Sequence, residues 1–124
     1  MQIVQSYRNN QLQIDVARDE GSIVLQFHGK SMLRDPNEFV MPILLKTLGE
    51  AIGENKRVVM DFRQLLYMNS STLTPVIKIL ERARVGKGEI TVSYRKALKW
   101  QDISFSALTI FQTPDQRITI EGSE

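Results

Sequence analysis

Polar and apolar positions alternate strictly from Leu12 to Val16, with Leu12, Ile14 and Val16 on one side and Gln13 and Asp15 on the other. A period of two predicts a half-buried strand. Arg18-Asp19-Glu20-Gly21-Ser22 reads as a turn, with Gly21 expected at positive φ. Ile23 to Phe27 supplies a second strand, so the two are expected to pair as an antiparallel hairpin. Residues 1–10 are polar with Ile3, Val4 and Tyr7 interspersed, which suits an extra edge strand or a loose arm.

The period then changes. Asp35-Pro36-Asn37-Glu38 has the form of a helix start, with Asp35 as cap, Pro36 in the first turn and Glu38 three residues after the cap. Val40, Leu44, Leu48 and Ile52, flanked by Met41 and Leu45, form one apolar helix face that Gly53 ends. Pro42 should kink this helix or mark its real start. Arg57 to Phe62 is short and mostly apolar, the mark of a parallel strand buried on both faces. After it, Asn69-Ser70-Ser71-Thr72 offers four caps in a row. A helix then carries Leu73, Val76, Ile77, Leu80 and Ala83 on one face and stops at Gly86-Lys87-Gly88, with Pro75 tolerated near its first turn. Glu89 to Tyr94 is another strand. Asp102 is placed to cap a last helix bearing Ile103, Ala107, Leu108 and Phe111, and Arg117 to Glu121 is a final strand with Ile118 and Ile120 inward. Strands alternating with about three helices predict an α/β fold: a mostly parallel mixed sheet opened by an antiparallel hairpin. Residues 11–124 form a single domain, without repeats or linker.

Composition narrows the chemistry. There is no cysteine and only one histidine, which excludes thiolate catalysis, disulfides and Cys- or multi-His-ligated metals. No cofactor or metal site is expected. The longest apolar run is the seven residues Phe39 to Leu45, against the roughly 20 that a membrane span needs. With no signal-peptide pattern at the N-terminus, a cytoplasmic protein without membrane insertion is expected. The net charge of +2 conceals a basic middle: residues 63–99 hold eight Lys or Arg and two Glu. Arg82 and Arg84 fall near a helix C-terminus, where cations are favoured. The basic stretch is either a solvated face or a docking patch for an acidic partner; no base-reading motif accompanies it, so nucleic acid is not expected.

The strand–loop–hydroxyl segment Val58 to Leu73 is the most distinctive local pattern. Its hydroxyls stand at a helix N-terminus, where negative charge is favoured. They either cap the helix, bind a phosphate ligand, or include a residue that is itself phosphorylated. Asp61, ending the buried strand, reads as an organiser of the loop that follows. His28 lacks the G-x-S-x-G elbow of a hydrolase and reads as structural. Trp100, Phe105 and Phe111 read as core. Tyr67, directly before the turn, is a candidate partner contact together with Met68, Arg82 and Arg84.

Val58, Val59, Asp61 and Phe62 on the strand and Asn69-Ser70-Ser71-Thr72-Leu73 on the turn resemble the STAS domain of sulphate transporters and anti-sigma-factor antagonists. The family pattern runs V-V-x-D-L/F, a short loop, then D-S-S/T-G-L-x-x-L, and the order of elements agrees along residues 11–122. The resemblance implies a STAS-like fold and no enzymatic activity of its own. In stand-alone family members the hydroxyl residue after the motif Asp is phosphorylated, which corresponds to Ser70, with Ser71 and Thr72 in reserve. It also implies partners: a serine kinase with a histidine-kinase-like ATPase fold, a PP2C-type phosphatase, and an anti-sigma-type target bound by the unphosphorylated form. Asn69 stands where the family has Asp, and Thr72 where it has Gly. The Asn-hydroxyl-Ser turn is similar to that of single-domain bacterial regulators of biofilm control, in which a diguanylate cyclase can be the switched partner. Two other functions fit the same pattern: a non-phosphorylated STAS-like subunit of a transporter or scaffold complex, and a small phosphate- or nucleotide-binding domain. The latter lacks any Gly-rich phosphate loop.

Overall fold

Alternation places Leu12, Ile14 and Val16 of β2 (Leu12–Arg18) and Ile23, Leu25 and Phe27 of β3 (Ser22–Ser31) on one face of the antiparallel pair, all buried. The structure is a computed structural model and describes residues 2–124. Within residues 1–10, Gln2–Asn9 form β1, an antiparallel edge strand on β2, so this segment is strand rather than loose arm. To β3 are added, in parallel, β4 (Arg57–Asp61), then β6 (Glu89–Arg95) and β7 (Ile118–Ser123), in the order β1-β2-β3-β4-β6-β7. The helices α1 (Pro36–Gly53), α2 (Leu73–Val85) and α3 (Lys99–Ser106) complete the mixed α/β fold expected. No helix among the described residues is long and apolar enough to cross a membrane.

Several local expectations are overturned. Gly21 does not have positive φ; Gly29 and Gly88 do. The 18–22 turn is instead held by the Asp19 carboxylate, which accepts the backbone N–H groups of Gly21 and Ser22. Asp35 makes no side-chain cap; its carbonyl accepts the Glu38 N–H. Helix α1 begins at Pro36 and runs through Pro42. It buries Val40, Ile43, Leu44, Thr47, Leu48 and Ala51, while Leu45 and Ile52 are exposed, so its inner stripe is rotated from the one the large side chains suggest. Val59 is only half-buried, so β4 is not enclosed on both faces as its apolar run suggested. Asp102 lies inside α3, whose cap position is Leu98, and Ile103 is exposed.

One element was not foreseen. Leu65–Met68 form β5, which pairs in parallel with the end of β3 through Gly29, Lys30 and Ser31, beyond the point where β4 stops. The chain thus leaves β4, loops, and rejoins β3 just before the Ser-rich turn. Gln101 secures that loop. Fully buried on α3, it donates to the carbonyls of Phe62 and Leu65 and accepts the Arg95 N–H. Phe62 stacks between Phe27 and Phe105, at 4.4 and 4.6 Å between ring centroids.

Candidate functional site

Asn69 is the hub of the turn. Its backbone N–H donates to the Ser31 carbonyl at 2.9 Å, continuing the β5–β3 ladder by one bond. Its side-chain Nδ2 donates to the Leu33 carbonyl at 3.0 Å. The carbonyl of Leu33 can only accept, so the amide orientation is determined and Oδ1 faces the turn. There it accepts the Thr72 hydroxyl at 2.6 Å and the Ser71 hydroxyl at 3.2 Å. The Thr72 proton being used, the 2.6 Å contact between Ser31 and Thr72 has Ser31 as donor. A relay Ser31 → Thr72 → Asn69 results, buried at its Ser31–Thr72 end and half-buried at Asn69, within the single turn of 3₁₀ helix, Ser70–Thr72, that leads into α2.

The hydroxyls do not act as helix caps: neither the 3₁₀ turn nor α2 has a side-chain cap. The three candidate acceptors are sorted by this geometry. Thr72 is 1% exposed and its hydroxyl is enclosed in the relay. Ser71 is exposed with its hydroxyl tied to Asn69. Ser70 is exposed and takes no part in the network.

Asp61 organises the preceding loop, as its position suggested. It is 5% exposed and accepts the Arg63 backbone N–H at 3.0 Å and the Arg63 Nε and Nη2 at 2.9 Å each. Burial pushes the Asp61 carboxyl up, but hydrogen bonding and charge from Arg63 outweigh it and hold the group below the ordinary carboxylate value. Asp61 is therefore ionised and occupied, with no proton to exchange near neutrality. His28 lies 3.2 Å from Asp15, and that pair sits on β3 and β2, apart from the turn.

The expected partner contacts separate. Tyr67 is exposed beside the turn, opposite Lys30. Met68 is 7% exposed and packs in the core, where it stands opposite the fully buried Ser31 in the β5–β3 pairing. Arg82 and Arg84 are exposed at the far end of α2, about 20 Å from Ser70 at 1.5 Å per residue. Arg84 lies over the Phe111 ring, 5.2 Å from its centroid. Two exposed apolar side chains that the sequence did not single out lie on the neighbouring segments: Leu66 on β5 and Met32 directly after β3. Both sit in stretches too short for a periodic signal. An open cleft of ≈ 680 Å³ lined by Lys56, Lys87, Gly88 and Arg117 lies at the opposite end of the sheet.

The amide at position 69 is a structural requirement. In Asn69→Asp a carboxylate oxygen would meet the Leu33 carbonyl where an N–H now donates, costing roughly 1–3 kcal/mol. A protonated Asp can donate there, so its folded pKa would lie above its unfolded value. The loss is then small in acid, grows as pH rises past the unfolded value, and is complete above the folded one. Thermal unfolding of the variant against the parent from pH 4 to pH 7 checks this; equal stability at neutral pH would contradict the hub role of Asn69.

No family model matches this sequence, and no curated protein matches it. Among solved structures, the fold is similar to that of the activator chain in the crystal structure of the diguanylate cyclase SiaD in complex with its activator SiaC from Pseudomonas aeruginosa. The superposition has a TM-score of 0.60 at 16% sequence identity and covers 96% of this chain and 99% of that one.

Proposed function

We propose that this domain is a non-enzymatic, STAS-like regulator that binds a protein partner while Ser70 is unmodified and is released when Ser70 is phosphorylated. The observation that carries this is the sorting of the hydroxyls: Ser70 projects from a turn whose other polar side chains are bonded inward. An acceptor serine must enter a kinase active site, and Ser70 offers an exposed hydroxyl on a rigid mount. Leu66 and Tyr67, on the strand that leads into the turn, are exposed apolar side chains of the kind a protein interface uses. The fold shared with the SiaC activator supports a regulator of this kind, with a diguanylate cyclase as one class of partner. A serine kinase with a histidine-kinase-like ATPase fold would add the phosphate, and a PP2C-type phosphatase would remove it. A phosphate- or nucleotide-binding role has less support, since the basic cleft lined by Lys56, Lys87 and Arg117 is at the other end of the sheet.

The test is labelling by such a kinase with ATP, followed by site mapping by mass spectrometry. Phosphate is expected on Ser70, and Ser70→Ala is expected to lose it. Ser71→Ala should still be labelled. A Ser70→Ala protein labelled as strongly as the parent would reject the assignment.

A further inference from the structure

Two segments leave the β3–β5 ladder side by side. Met68, the last residue of β5, stands opposite Ser31, and the Asn69 N–H adds one more bond, to the Ser31 carbonyl. Two residues further along, the Leu33 carbonyl accepts from the Asn69 side chain at 3.0 Å. Arg34 follows Leu33 on one segment, and Ser70 follows Asn69 on the other. Both segments then turn helical, and the Ser70–Thr72 turn packs against α1. Covalent geometry on either side of the Leu33–Asn69 bond keeps the Arg34 and Ser70 Cα atoms within about 13 Å of each other.

Arg34 is exposed, and among the described residues it belongs to no ion pair. It borders an open cleft of ≈ 520 Å³ together with Asn9, Asn10, Asp35, Glu38 and Phe39. The carboxylates of Asp35 and Glu38 are the anions nearest to it along the chain, and neither holds it.

We propose that Arg34 is the side chain that holds the phosphate of modified Ser70, tying the segment between β3 and α1 to the turn before α2. This rests on the reading of Ser70 as the modified residue. A guanidinium nitrogen extends to about 7 Å from its Cα and a phosphoserine oxygen to about 5 Å, and a charge-assisted hydrogen bond of about 2.8 Å closes the span. The phosphate brings about −1.5 to −2 charges and three strong acceptors, against a single charge on Asp35 or Glu38, so it is the stronger partner. The planar fork of Arg34 engages two phosphate oxygens at once. Lys30, the exposed cation of β3 opposite Tyr67, has no such fork. A partner seated over the turn would have to strip water from both charges, so the pair opposes binding of the modified form.

The test is a phosphorus NMR titration of the full chain with phosphoserine at position 70, introduced during translation so that no kinase is needed. The second proton of a phosphoserine ordinarily leaves near pH 6. In the parent it is expected to leave about half a pH unit lower than in Arg34→Gln, as an exposed ion pair would produce. Arg34→Lys keeps the charge and should retain part of this difference. Arg84→Gln, at the far end of α2, should titrate as the parent does. At about 1 M salt the parent and Arg34→Gln should converge. Circular dichroism should show the variants folded, since Arg34 is exposed. Equal titration of the parent and Arg34→Gln at low salt overturns the proposal. So does a difference that Lys30→Gln removes and Arg34→Gln does not. Either result leaves the labelling of Ser70 by a kinase intact, whereas a kinase that labels another residue rejects the switch and leaves the titration standing.

Discussion

Replacing Gly29 by alanine is expected to destabilise the domain by on the order of 3–5 kcal/mol, placing it among the exceptional single substitutions. Two costs coincide. Gly29 has φ +82°, a conformation that L side chains avoid. A Cβ there would also sit 2.0 Å from the carbonyl oxygen of Gln11 and 3.2 Å from its carbonyl carbon. These are backbone atoms, and the Gln11 oxygen is held at 3.0 Å by the Lys30 N–H, so the obstacle cannot rotate aside. The damage would spread, because Gly29 is also where β5 joins β3, opposite Leu65. Loosening that junction loosens the strand that delivers Asn69 and Ser70. Urea denaturation reads the loss directly. Gly21→Ala is the control, since a Cβ there meets nothing within 4 Å, and it should stay within about 0.5 kcal/mol of the parent. A Gly29→Ala domain that unfolds at the parent's midpoint would mean the close approach is not maintained in solution.

Gly29 also illustrates what local pattern conceals. The turn chemistry around residues 18–22 pointed to Gly21, because glycine in a short polar turn is a local signal. The glycine that is required lies within a strand, and its requirement comes from a carbonyl on the neighbouring strand. The same distinction separates the rest of the fold. The alternating strands, the order of helices and the hydroxyl-rich turn before α2 were legible, since each has a period or punctuation of its own. The strand β5 was not: four residues with only their ends buried have no period, and their strand character comes from pairing with β3. The inner stripe of α1 was misplaced because Thr47 and Ala51 are buried while larger Leu45 and Ile52 are left outside. At the site, the hydroxyl-rich turn and the loop-organising place of Asp61 could be read from residue order. The division of labour among Ser70, Ser71 and Thr72 could not, because Ser31 and Leu33, which impose it, are more than thirty residues away in the chain.

Phosphorylating Ser70 is expected to weaken partner binding by about a hundredfold without weakening the fold. The modification adds about −1.5 to −2 charges and three strong acceptors. In the free domain that charge enters at the N-terminal end of the Ser70–Thr72 turn and α2, where it is favourable by roughly 0.3–1 kcal/mol. The buried relay beneath is untouched, so the melting temperature should hold or rise by a few degrees. Within an interface the outcome reverses. Leu66 and Tyr67 are exposed on the strand that enters the turn, and a partner seated over this segment would strip water from the phosphate. A net penalty near 3 kcal/mol, within the range measured for charges buried without a partner, corresponds to somewhat over a hundredfold in Kd. Arg82 and Arg84 offer no relief: some 20 Å along α2 is about two and a half times the screening length at physiological salt. The chain's total charge would fall from +2 to about neutral, yet the switch depends on where the charge lies and not on the sum. Calorimetric titration of the partner with phosphorylated and unmodified protein measures the effect. Arg84→Ala should leave the ratio of the two affinities unchanged, and Tyr67→Ala should weaken binding of the unmodified form. Equal affinities for the two forms, or a phosphoprotein that melts well below the parent, would each remove the physical basis for a switch at Ser70.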